Sequence, residues 1–94
     1  MIRLEKLENA SEMLKAIAHP MRIAIVDMLS DDKSLTVTEI YETLKIEQAV
    51  ASHHLGIMKS KGVLISERNG KNSYYKLKHP RLSQIVSCID KCQQ

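Results

Sequence analysis

Tryptophan and phenylalanine are absent from this chain of 94 residues, and tyrosine occurs only three times. The core therefore has to come from Leu, Ile, Val, Met and Ala, a palette usual for packed helices. No apolar run approaches the roughly 20 residues that span a bilayer, and the opening Met1-Ile2-Arg3-Leu4-Glu5 lacks a signal-peptide apolar core. The expectation is a cytoplasmic protein with no membrane partner. Cysteine is confined to Cys88 and Cys92, too few for a disulfide framework, and cytosolic thiols stay reduced. No convergent nucleophile, base or metal cluster is legible, so neither an enzyme nor a cofactor is expected; the one adjacent pair, Ser52-His53, lies on neighbouring helix positions that do not face each other.

What is present is unevenly distributed charge. From Lys45 to Arg81 there are eight basic residues (Lys45, Lys59, Lys61, Arg68, Lys71, Lys76, Lys78 and Arg81) against Glu47 and Glu67, a net of +6, whereas the rest of the chain has six basic and nine acidic residues, a net of −3. Such a split points to one surface for a polyanion and another for something else, against the plainer alternative of a solvated, Lys-rich face. The length suits one domain, residues 1–94, near the small end of what folds on its own core, so that pairing with a second copy would help it.

Taken in order, residues 3–18 read as a helix, with Leu4, Leu7, Ser11, Leu14 and Ala18 at three-four spacing and Met13 and Ile17 broadening the stripe. His19-Pro20 breaks it and restarts a second helix, Pro20 to about Ser30, whose Ile23, Ile25, Val26, Met28 and Leu29 are apolar nearly all round and so expected to be buried. After a polar loop, Thr36 and Glu39 match a capping box ahead of Ile40 and Leu44, which predicts a third helix. Lys45–Glu47 is then a turn, and a fourth helix runs from Gln48 to about Lys61. Ala51, Leu55 and Met58, flanked by Val50 and Ile57, form its inward side; Gln48, Ser52, Gly56 and Lys59, joined by His53, form its outward side.

The outward side has the chemistry to read base edges. Gln bonds bidentately to adenine, Ser meets either kind of edge, and Lys reaches guanine or phosphate. An ordinary solvated face is the competing reading. Gly62 predicts a left-handed helix end. Val63–Arg68 and Asn72–Leu77 then flank Asn69-Gly70, the strongest short hairpin signal, with Arg68, Lys71 and Asn72 crowding the tip. Tyr74 and Tyr75 fall on opposite faces of their strand, one toward the core and one at the rim. A last helix from Pro80 to about Lys91 carries a stripe of Leu82, Ile85, Val86 and Ile89, which needs the first helix, a second subunit or both to cover it. The layout is mainly α with a small β-hairpin: a winged helix-turn-helix of about five helices plus a two-stranded wing, whose usual work is to place its second motif helix in a DNA major groove.

The ordered series Ala18-His19-Pro20-Met21-Arg22-Ile23, Ala51-Ser52-His53-His54-Leu55, Met58 to Leu64 and Asn69 to Leu77 with its Tyr-Tyr strand resembles the ArsR/SmtB family of bacterial winged-helix transcription regulators. The resemblance covers almost the whole chain. It implies a homodimer held through the first and last helices (Leu4, Leu7, Leu14, Leu82, Ile85, Val86, Ile89), binding a two-fold site on double-stranded DNA and acting mostly as a repressor released by an effector. It further implies that Gln48, Ser52 and His53 belong to the base-reading surface, that Arg68 and Lys71 are wing contacts, and that His54 helps hold the helix in place; Ala49 and Lys59 on the helix and Asn72 at the wing tip complete the expected DNA-binding surface.

The departures are equally informative. Metal-sensing members carry cysteines at the start of the third helix, where this chain reads Leu35-Thr36-Val37-Thr38; hydroxyls are poor ligands for a soft metal, so that site is absent. The last helix does not reproduce the Asp/His and His/Glu spacing of the other family metal site. Cys88 and Cys92 stand four residues apart on one flank of it. They are small packing residues near a helix end or, alternatively, a thiol- or soft-metal-responsive site; the effector is otherwise unknown. A winged-helix module that docks a protein instead of DNA is the remaining alternative.

Overall fold

A computed structural model describes residues 1–93. In chain order it contains α1 (Leu4–Ile17), α2 (Pro20–Met28), β1 (Leu35–Thr36), α3 (Val37–Leu44), α4 (Gln48–Ser60), β2 (Leu64–Asn69), β3 (Asn72–Leu77) and α5 (Leu82–Cys92). Helix α2 lies at the centre and packs against α1, α3, α4 and α5. Its Ile25 and Val26, with Leu29 just beyond, join Ile40 of α3, Leu55 and Met58 of α4, and Val63, Leu64 and Leu77 of the wing root in one buried cluster.

Local chemistry explains most of the boundaries. Pro20 opens α2, and His19 caps it: the Met21 amide donates to His19 Nδ1 at 3.1 Å. The expected capping box is formed in full, with the Glu39 amide donating to Thr36 Oγ1 and the Thr36 amide donating to Glu39 Oε1. At the end of α4, Gly62 takes φ 79°. The Gly62 amide then reaches the Lys59 carbonyl at 3.1 Å and the Val63 amide reaches the Met58 carbonyl at 2.9 Å, the paired bonds of a Schellman end. The end of α3 repeats the motif without glycine. Lys45 sits at φ 57°, its amide on the Glu42 carbonyl and that of Ile46 on the Tyr41 carbonyl.

Several expectations need correction. The sheet has three strands in the order β1-β3-β2, because Leu35 and Thr36 pair with Tyr75 and Tyr74. A two-residue strand carries no alternation, so no period-2 signal announced it. In the wing, Asn69 pairs with Asn72, so the two-residue loop is Gly70-Lys71 with Gly70 at φ 66°, one residue later than the Asn-Gly pattern suggested. Glycine in the first loop position, which needs positive φ, decides that register. Helix α2 ends at Met28, short of Ser30, and Ile23 and Met28 are only half-buried.

The terminal helices depart further. On α1 the buried residues are Ala16 and Ile17, while Leu4, Leu7 and Leu14 are 68, 46 and 52% exposed. On α5, Leu82 and Val86, expected at an interface between copies, are buried instead in the chain's own core, where α5 packs on α2; Ile85 and Ile89 stay exposed. No helix among the described residues is long and apolar enough to cross a membrane.

The two ends of α3 give opposite expectations in a single measurement. Thr36→Ala removes a cap and should lower stability by about 1 kcal/mol. Lys45→Gly relieves a side chain held in left-handed backbone and should raise stability by about 0.5–1 kcal/mol after the added freedom of the unfolded chain is counted. Urea midpoints of both variants against the parent check the signs.

Candidate nucleic-acid interface

Helix α4 separates its residues sharply. Ala51, His54, Leu55 and Met58 are buried, whereas Gln48, Ala49, Ser52, His53, Gly56 and Lys59 are exposed. Ile57 flanks the inward side as expected, but Val50 does not: it is 41% exposed. Gly56 has nothing within 4 Å of where a Cβ would stand, so no neighbouring helix in the chain requires glycine there. The exposed side chains of the helix make no hydrogen bond to one another, and only the Ser60 hydroxyl turns back to a carbonyl of its own helix.

What holds this helix in place is a polar junction at its inner edge. Arg22 of α2 donates from Nε to His54 Nδ1 at 3.1 Å and from Nη1 to the Ala16 carbonyl at the end of α1 at 3.3 Å. Arginine can only donate, so Nδ1 of His54 is unprotonated and the neutral ring carries its hydrogen on Nε2. The His19 ring lies against His54 with centroids 4.5 Å apart, and that of His53 is 5.9 Å away. Burial first, then the charges of His19, Arg22 and His53, hold the His54 pKa below the ordinary histidine value. Sequence reasoning missed Arg22, whose acceptors come from other helices and so leave no mark in the sequence around it.

The cations sort in the same way. Lys76 of the wing pairs with Glu67 at 3.1 Å, and Lys61 reaches Glu12 of α1 at 3.4 Å. Glu12 also meets Lys15 at 3.6 Å, and the hydrogen bond from Lys61, followed by the charge of Lys15, lowers its pKa. Lys45, Lys59, Arg68, Lys71, Lys78 and Arg81 have no ion-pair partner among the described residues. Arg68, Lys71 and Asn72 are exposed together at the wing tip; Tyr75 packs on the core and Tyr74 lies at the rim.

Residues 17–67 match the family model described as a helix-turn-helix domain. The chain is 39% identical over 92 residues to the transcriptional repressor PagR of Bacillus anthracis, covering 98% of this chain and 92% of that one. It belongs to the ArsR/SmtB family of winged helix-turn-helix transcription regulators. The HTH-type transcriptional repressor SmtB of Mycobacterium tuberculosis is 40% identical over 82 residues, 87% of this chain and 60% of its own length. The crystal structure of PagR superposes with a TM-score of 0.84 over 93% of this chain and 99% of that chain. As an ArsR/SmtB member this protein is a DNA-binding transcription regulator, with α3 and α4 as its helix-turn-helix and the β2–β3 hairpin as its wing.

The junction has a pH signature. The unfolded chain takes up a proton at this histidine near pH 6.5, while folded His54 resists it and, once protonated, loses its Arg22 bond. The contribution is nil above that pH and grows as pH falls through it, so stability should fall between pH 7.5 and 5.5. His54→Gln should be less stable than the parent at pH 7.5 and lose less on acidification, as read from urea midpoints at the two pH values.

Proposed function

We propose that two copies of this chain associate through α1 and α5 and bind a two-fold operator, with Gln48, Ala49, Ser52 and His53 at base edges and Lys59, Arg68, Lys71 and Asn72 at the backbone or groove wall. The observation that carries the reading is the outward face of α4: hydrogen-bonding side chains, exposed and without internal partners, next to a cationic wing tip. Residues at the start of such a helix are the ones that reach bases, and symmetry sets the two helices about 34–36 Å apart, one turn of duplex. A glycine at position 56 with open space above it would allow close approach of the helix backbone to DNA. Repression, the role that the names of PagR and SmtB carry, is the regulatory sense proposed, and the cytoplasm is the proposed location.

Support for the pairing is the apolar surface left on the terminal helices. Leu4, Leu7 and Leu14 on α1 and Ile85 and Ile89 on α5 are all exposed in the single chain. Burying a side chain of this kind contributes about 1.5–3 kcal/mol. Leu82 and Val86 no longer count in that set, since the chain's own core uses them.

Selection of duplexes from a random pool, followed by fluorescence anisotropy at two salt concentrations, tests the base-reading assignment. A two-fold-symmetric site with a strong salt slope is expected, and Gln48→Ala or Ser52→Ala should relax base preference by about 1–3 kcal/mol. Lys71→Ala should weaken all sequences alike and flatten the slope by about one ion. No enrichment by a folded dimer would make the face a protein-docking surface instead.

Sedimentation tests the pairing separately. Leu7→Glu with Ile89→Glu should give a folded monomer whose operator affinity has collapsed. A variant that remains dimeric would remove α1 and α5 from the interface.

A further inference from the structure

One large hydrophobic side chain stands outside both the core and the faces proposed for pairing. Val50 is 41% exposed and sits in the first turn of α4, which begins at Gln48. It belongs neither to the buried cluster nor to the partly buried hydrophobic residues packed against it. Among the described residues, every other exposed large hydrophobic lies within residues 1–14 or on α5. Helix formation does not call for valine either, since a β-branched side chain is a weaker helix former than alanine. Ala49 beside it is exposed too, so the start of the helix presents two adjacent aliphatic groups.

The position limits what Val50 can meet. It lies two residues beyond Gln48, about 200° round the helix axis, so the two side chains leave the first turn on opposite flanks with Ala49 between them. A helix seated in the major groove with its N-terminal residues at the base edges directs those flanks to different bases. An isopropyl group has no hydrogen-bonding atom, so it can neither read a donor or acceptor nor hold a phosphate. The apolar group at the major-groove edge is the C5 methyl of thymine.

We propose that Val50 reads thymine: in each half-site its methyl groups pack against a thymine C5 methyl, on the flank of α4 opposite Gln48. This role rests on α4 being the base-reading helix. Excluding water from the paired methyl groups rewards thymine over uracil, a distinction that hydrogen-bonding side chains cannot make, because uracil keeps every donor and acceptor of thymine.

Replacing each thymine of the selected operator by uracil, symmetrically in both half-sites, tests the contact by fluorescence anisotropy with the parent and with Val50→Ala. At one thymine per half-site the parent should lose about fourfold in affinity for each half-site substituted, the weight of one buried methyl-sized group. Val50→Ala should bind the thymine and uracil duplexes alike at that position, whereas Gln48→Ala should keep the loss there. Comparing variant and parent on the same two duplexes cancels any effect of uracil on duplex shape. Position 50 is exposed and alanine suits a helix, and circular dichroism checks that Val50→Ala remains folded. Parent affinity unchanged by every uracil, or a loss that Val50→Ala retains, would overturn the thymine contact while leaving salt-dependent operator binding intact. Failure of a folded dimer to select any duplex would instead remove the base-reading role of α4, and the thymine contact with it.

Discussion

Arg22 is the interaction on which the arrangement of helices depends. A half-buried guanidinium in the first turn of a largely apolar helix has to be matched by acceptors, and the fold supplies one from the end of α1, the Ala16 carbonyl, and one from α4, the His54 ring. Three helices are thereby tied at one point, and the angle of α4 relative to α1 is set by planar donors with fixed directions. Apolar packing around Ile25, Ile40, Leu55 and Met58 supplies the bulk of the stabilisation but tolerates sliding. The Arg22 bonds do not.

Much of the fold was legible because the deciding interactions are local. The Thr36–Glu39 box, Pro20 and Gly62 act within one turn of where they stand, and the structure realises all three. The inward set Ala51, Leu55 and Met58 was readable from periodicity alone. What was not legible depended on distant partners. Strand β1 exists only because β3 comes alongside it, and Leu82 and Val86 were assigned to a stripe for the first helix or a second subunit to cover because nothing in the sequence says that α2 offers them a groove. Val50 went the other way, apolar by type and exposed by position.

For the candidate site the same division holds. The outward residues of α4 were identified by face, while the Arg22–His54 contact spans 32 residues and leaves no local mark. Charge counting was least reliable. A net of +6 between Lys45 and Arg81 takes no account of Glu12 outside that stretch, to which the fold brings Lys61, and does not say that it is Lys76 that Glu67 meets. Exposed pairs of this kind contribute little to stability, but they do redistribute the surface potential: the unpaired cations include Lys59 on α4 and Arg68 and Lys71 on the wing.

The short strand β1 has a consequence for the thermodynamics of recognition. By pairing Leu35 and Thr36 with Tyr75 and Tyr74, it anchors the wing root to the residue that caps α3, leaving only the end near Gly70-Lys71 to move. A hairpin tethered on one side only would have to be immobilised when it meets a polyanion, at a cost of about 1–2 kcal/mol per backbone residue ordered. Here most of that loss occurs during folding, so the free and bound wings should differ little in conformational entropy.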